Sequence, residues 1–249
     1  MKSFVKTGSP GQLAWEAVGL SWLREANGAL VVPVLDRQEG QLVTQRMEII
    51  SATPSAAAAF GHALAATHAA GAPSFGAAPD GWDPHQPGWI GAAELALGGY
   101  GKWGEFYAEL RVLPHAHAAH ARGAISGAGL KLIEQLCQRL RDGEFDDDRP
   151  PARIHGDLWS GNLLPTADGL VMIDPAAHGG HGVTDLAMLD LFGYPHLRTI
   201  HDAYAEAADL PRGWRANLRL HQLHPLLVHA ELFGGSYGAE AAGVAHAYA

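Results

Sequence analysis

The sequence predicts an α+β chain in two lobes, a small one built on an antiparallel sheet and a larger one that is mainly helical. Three observations lead there. Strand-like segments and a single helix fill the first 47 residues. Helical periodicity dominates most of the chain beyond residue 47. Hydrophobic residues make up 47% of the 249 and charged residues 17%, enough to bury a core across two packed lobes. The expected division is 1–47 and 48–249.

Residues 1–6 read as a short strand. Ser9 and Pro10 have the look of a helix cap and a first-turn proline. Residues 11–26 carry Leu13, Ala17, Leu20 and Leu23 at helical spacing, and Asn27-Gly28 closes that helix. Strands are expected over 29–35 and 41–49, joined by the charged turn Asp36–Gly40. Thr53-Pro54-Ser55 opens an alanine-rich helix that reaches about residue 70 and places Phe60, Leu64 and His68 on one face. The glycine-, proline- and tryptophan-rich stretch 71–104 is long for a structureless loop, so it is expected to pack or to bind. Helices are expected over 105–121 and 127–142, then an acidic linker over 144–151. An apolar strand over 170–173 ends at Asp174, and helices are expected over 184–192, 196–208 and 217–232.

Composition narrows the function classes. The net charge is −9 and the basic residues are thinly spread, which argues against a nucleic-acid footprint. Cys137 is the single cysteine, so no intrachain disulfide can form. No apolar run has membrane-span length, and residues 1–11 lack a secretory signal's apolar stretch, so a soluble cytoplasmic chain is expected. Of 15 histidines, His115, His117 and His120 cluster without a further ligand in pattern, which reads as a solvated turn or helix start rather than a metal site.

The densest chemistry lies in Ile154-His155-Gly156-Asp157-Leu158-Trp159-Ser160-Gly161-Asn162, with Val171-Met172-Ile173-Asp174 just downstream. A lone His-Gly-Asp can be no more than a turn. The whole string matches the layout of a phosphotransferase catalytic loop, in which an aspartate precedes an asparagine by five positions and a second aspartate ends a short downstream strand. Phosphoryl transfer asks the protein for positioning and charge neutralisation. Asp157 is therefore expected to take the proton of the attacking hydroxyl, and Asn162 and Asp174 to offer hard oxygens to magnesium.

The string HGDLWSGN and the downstream IDPAAHGGHGVTDLAMLDLFG resemble the fructosamine kinase (ketosamine-3-kinase) family, a branch of the aminoglycoside-phosphotransferase-like, protein-kinase-like fold. FVKTGSPGQLAWEAVGLSWL, KWGEFYAELRVLP and the C-terminal GWRANLRLHQLHPLLVHAELFGGSY extend the likeness from about Phe4 to about Tyr237. The resemblance implies ATP and Mg2+ as cosubstrate and metal. It also implies an acceptor that is a ketosamine, free or on a protein lysine, phosphorylated on the sugar 3-hydroxyl. Lys6 falls where the family's phosphate-contacting lysine sits, and Glu16 where its helix-borne partner sits. Without the resemblance they read as a terminal lysine and an exposed helix residue. Thr44–Met47 falls at the inter-lobe hinge, where the backbone of Gln45 and Met47 would bond adenine. Trp159 reads equally as a wall for the sugar and as a core tryptophan. Asp185 reads as a brace for the catalytic loop, and His229 and Trp214 as core packing near the acceptor.

The sequence departs from the family in three places. The chain starts almost at Lys6, where the family has about one further hairpin over the phosphates; truncation, a natural short form and loss of activity each explain this. Gly180-His181-Gly182-Val183 lacks a carboxylate that the family carries there, and 92–101 lacks an asparagine. Two other readings therefore stand beside the ketosamine kinase. One is a kinase of another small hydroxyl compound, such as an aminoglycoside, choline or homoserine. The other is a kinase-like binding protein with little turnover.

Overall fold

A computed structural model describes residues 2–248. The expected first strand is β1, Ser3–Thr7, and Met1 lies outside the described residues. The helix α1, Pro10–Glu25, has proline in its first turn, but the Ser9 side chain makes no capping bond. The strand expected over 29–35 is divided. Leu30–Val31 forms β2 and Val34–Gln38 forms β3, separated at Pro33, which has no N–H for a ladder. The next strand, β4, is Gln41–Gln45 and stops short of the expected residue 49. The hairpin turn is shorter than expected: Gln38 pairs with Gln41, and Gly40 takes φ 71.

Antiparallel β1, β4 and β3, in that order, make the first sheet. The short β2 leaves this sheet and pairs in parallel with β9, Gly169–Met172, which forms a hairpin with β8, Leu163–Thr166. The first 47 residues are thus tied by a strand pair to the region after the loop 155–162. Core residues Leu20 and Leu23 of α1, Leu42 of β4, Met172 of β9 and Leu186 make one continuous apolar cluster.

The helix α2, Pro54–Ala69, begins as its sequence promised, with the Thr53 hydroxyl accepting the Ala56 N–H at 3.2 Å. The stretch 71–104 is packed. It holds the hairpin β5, Gly88–Ile90, with β6, Ala93–Leu95. Trp15 of α1 donates its Nε1–H to the Trp89 carbonyl at 2.9 Å and meets Trp82 edge-on. Gly88 is required there, because a Cβ would stand 2.5 Å from the Trp15 ring.

Helical structure continues through α3, Trp103–Phe106, a π-turn over Tyr107–Val112, and α4, Leu113–Ala121. The histidine cluster falls in α4, the helix start of the expectation rather than a turn, and it is only partly solvated. His117 and His120 are exposed, and His120 bonds the Ile125 carbonyl, but His115 is buried against Glu231 at 2.7 Å. After α5, Gly127–Arg141, come β7, Ala152–Ile154, and its antiparallel partner β10, His178–Gly180. The helices α6, Val183–Phe192, α7, Leu197–Ala207, α8, Leu218–His221, α9, Leu223–Phe233, and α10, Tyr237–Tyr248, complete the larger lobe. No helix among the described residues is long and apolar enough to cross a membrane.

Two contacts set the position of the loop 155–162. The first is the crossing of α2 over α7, where a Cβ on Gly61 would stand 2.5 Å from the Ile200 carbonyl oxygen. The second is Asp185 in the first turn of α6, which is 1% exposed. Its carboxylate accepts the N–H of His155 at 2.7 Å, the N–H of Gly156 at 2.9 Å and a bond from His68 Nε2 at 3.0 Å. His68 in turn meets the Tyr204 hydroxyl at 2.7 Å, which joins α2, α6 and α7 at the loop. Burial by itself pushes the Asp185 carboxyl up, but the His68 and His155 contacts outweigh it and hold it below the ordinary aspartate value.

Substituting Gly61→Leu should cost about 1–3 kcal/mol through overpacking, measured by urea unfolding. Asp185→Asn should cost about 2–4 kcal/mol, because one amide oxygen cannot accept three bonds and the amide N–H2 would face backbone N–H groups. The Asp185 contribution has a defined pH window. With a folded value below the unfolded one, it is fully present above roughly pH 4 and lost as pH falls further. The stability difference between the two chains should therefore narrow in acid and hold constant near neutrality.

Candidate active site

The segment after β7 turns sharply at Gly156, whose φ is 81. A Cβ here would stand 2.3 Å from the Ala176 carbonyl oxygen and 3.0 Å from His178 Nδ1. This explains why glycine replaces the arginine of the kinase catalytic-loop pattern: any side chain would collide with the backbone leading to β10. His155 fixes the turn from the other side. Its Nδ1 accepts the Asp157 N–H at 3.2 Å, so its Nε2–H donates to the Ile173 carbonyl at 2.8 Å. Burial lowers its basicity, which suits a neutral ring in that tautomer.

The β8–β9 hairpin brings Asn162 beside Asp174. Leu163 pairs with Met172, and the Ile173 N–H donates to the Asn162 carbonyl at 3.0 Å. The Asn162 amide then reaches across the site. Its Nδ2 donates to the Asp157 carbonyl at 2.9 Å, to Asp157 Oδ2 at 3.1 Å and to the Asp174 carbonyl at 3.3 Å. Asp174 takes a left-handed backbone, φ 50, which aspartate tolerates better than most residues.

Lys6 on β1 approaches from the small lobe. Its Nζ lies 2.7 Å from Glu16 Oε2 of α1 and 3.0 Å from Asp174 Oδ2. One ammonium thus serves two carboxylates. Burial and the Asp174 charge push Glu16 up to about 7, against the pull of Lys6. Burial also pushes Asp157 up to about 7; the Asn162 hydrogen bond opposes this, and the Asp174 and Asp185 charges add to it. A carboxylate poised near neutrality suits a proton acceptor.

These residues line one cleft of about 380 Å³, together with Gly8, Gln12 and Trp89. The donor set fits a magnesium ion. Asn162 spends its N–H2 on Asp157 and Asp174, which leaves its Oδ1 without a partner among the described residues, and the Asp174 carboxylate is half exposed on the cleft. The N-terminus of α1 also faces this space, where backbone N–H groups favour an anion.

Trp159 is 41% exposed, lines the cleft and meets Phe192 edge-on, so it stands at the rim and not in the core. Gln45 and Met47 do not line this cleft. Gln45 ends β4 opposite Ser3, and Met47 packs beside the core cluster of Leu42 and Leu163. His229 borders a cavity next to Asp157, whereas Trp214 packs on His201 away from it. Trp15, Trp89, Gly91 and Gln12 also line the cleft, and no sequence motif marks them. The only signal for two of them is the unexplained length of 71–104.

Comparison with known proteins places this geometry. The fructosamine kinase family pattern matches residues 2–248. The "Probable ketoamine kinase" of Thermus thermophilus is 35% identical over 153 residues, covering 61% of this chain and 55% of the relative. The "Ketosamine-3-kinase" of Mus musculus is 33% identical over 135 residues, 54% of this chain and 43% of the mouse protein. The chain thus spans about half the length of the curated relatives it matches. Among solved structures, the "putative fructosamine-3-kinase" of Thermobifida fusca superposes with a TM-score of 0.89 at 44% identity, over 99% of this chain and 85% of that one. A choline kinase of Streptococcus pneumoniae superposes at 0.59 with 15% identity, over 99% and 85%, a likeness of fold alone. The bilobal α+β architecture is therefore of the protein-kinase-like type, and the chain belongs to the fructosamine kinase family.

Proposed function

We propose that the protein transfers the γ-phosphoryl group of ATP to the 3-hydroxyl of a fructosamine- or ribulosamine-type ketosamine. The observation that carries this reading is the gathering of Asp157, Asn162, Asp174 and Lys6 around one cleft in a chain of this family. Residues 1–47 would form the nucleotide-binding lobe and 48–249 the catalytic lobe. The Met47 backbone bonds no other group among the described residues, which leaves it available to adenine at the hinge, whereas the Gln45 N–H is spent on the Pro33 carbonyl at 3.0 Å, so Gln45 could offer only its carbonyl.

Each residue has a chemical task in this reading. Asp157 accepts the proton of the acceptor hydroxyl as its oxygen bonds to the γ-phosphorus. The bond from phosphorus to the β,γ-bridging oxygen breaks, and ADP leaves. Asn162 Oδ1 and the Asp174 carboxylate would hold magnesium, which when bound offsets the phosphate charge. Lys6, oriented by Glu16 at 2.7 Å, would meet the phosphate oxygens. Trp159 offers an apolar face to the sugar ring.

The test is magnesium-dependent ADP release from ATP, with and without synthetic ketosamine. Acceptor-stimulated release is expected, and Asp157→Asn should lower it by roughly 10²–10⁴-fold with the melting temperature nearly unchanged. Full activity in that variant would remove Asp157 from the role of base. Lys6→Met should weaken binding of magnesium-ADP by about tenfold or more, as calorimetry would measure. Unchanged affinity would place the phosphates elsewhere.

A further inference from the structure

Past Trp159 the cleft opens into a second cavity of about 230 Å³. Asp157, Trp159 and Gly91 border both spaces, so whatever meets Asp157 can extend into the second. Its wall is apolar and comes from three elements: Ile90 of β5, Met188 of α6, and Val228, Leu232 and Phe233 of α9. Phe233, 70% exposed, and Trp159, 41% exposed, both line this cavity as uncovered aromatics. Large apolar side chains grouped at the mouth of a cleft mark a surface that a ligand covers.

The ionisable groups on this wall are few. Apart from Asp157, the cavity is bordered by His229, whose Nδ1 is held by the Pro225 carbonyl at 2.8 Å and whose ring lies among Phe192, Phe233 and Tyr237. Glu231, one residue from Leu232, is turned away and engaged by His115 at 2.7 Å and Arg122 at 3.6 Å. Among the described residues, no carboxylate besides Asp157 borders the cavity. A second positive charge carried there would lose its water without gaining a partner.

We propose that this cavity receives the substituent on the acceptor's amine, and that the substituent it selects is an aromatic or branched aliphatic group rather than a cationic aminoalkyl chain. The inference rests on the reading that Asp157 marks the position of the reacting hydroxyl. It narrows the acceptor to ketosamines formed from apolar amines and disfavours polycationic acceptors.

Three synthetic ribulosamines carrying phenethyl, isopentyl or aminopentyl groups on nitrogen test it with the unmodified chain. Binding without nucleotide is followed by calorimetry, and kcat/KM by ADP release. The phenethyl and isopentyl compounds should bind and turn over about tenfold or more better than the aminopentyl one. Leu232→Glu, checked for a cooperative melt, should reduce or invert that preference. Equal binding and turnover across the three would overturn the inference and leave the kinase reading standing. Tighter binding of the apolar pair without turnover of any compound would support the subsite and overturn the kinase reading. An absence of binding by all three would overturn the inference, and the comparison does not need the variant to fold.

Discussion

The Asp185 carboxylate, buried at the start of α6, is the constraint on which the rest of the site depends. It accepts two successive backbone N–H groups, from His155 and Gly156, at the point where the chain turns from β7 towards Asp157. Buried backbone donors must be satisfied, and here a charged acceptor does so more strongly than a neutral one would. His68 and Tyr204 fill the remaining side of the carboxylate, so α2, α6 and α7 converge on a three-residue turn. The turn is further narrowed by Ala176, which leaves no room for a side chain at position 156. Asp157 is thus aimed first by backbone geometry, and the Asn162 amide then holds its carboxylate at 3.1 Å.

Opposite this rigid turn the charges are unbalanced. Glu16, Asp174 and Asp157 face one another with a single ammonium, Lys6, between the first two. Burial makes the ionised forms costly, which is why Glu16 and Asp157 both sit near neutrality in their proton affinity. An arrangement of this kind gains from added positive charge, and Asn162 Oδ1, without a partner among the described residues, provides an oxygen beside it. The parallel pairing of β2 with β9 and the packing of α1 on the shared core hold the two sides of the cleft together. Lys6 can therefore reach Asp174 although β1 lies at the edge of its sheet.

The far side of Asp157 has the opposite character. Beyond Asp157 the surface passes to Trp159 and then to the aliphatic and aromatic side chains of β5, α6 and α9. The β5–β6 hairpin reaches this place because Trp15 clamps Trp89 to α1 through a hydrogen bond and Gly88 permits the close approach. Charged and apolar side chains are thereby segregated on the two flanks of a single aspartate.

Much of this is legible in the order of residues. The two-lobed α+β plan comes from where strand and helix periodicities lie. Asp157, Asn162 and Asp174 are legible because a short loop and a tight hairpin impose their own geometry over a few residues, and the pairing of Leu163 with Met172 is a local event. Residues that depend on distant packing are not legible. His115 looks like part of a solvated run and is buried because Glu231, far along the chain, lies over it. The break at Pro33 is foreseeable as a weakness, yet the departure of β2 to pair with β9 is not. Trp89, Gly91 and the wall of the second cavity belong to segments that only the folded chain brings to Asp157. The order of residues carries the Asp157, Asn162 and Asp174 constellation, because these three are near neighbours in the chain. The tertiary structure alone decided what surrounds them, because which apolar surfaces meet depends on the packing of the whole core.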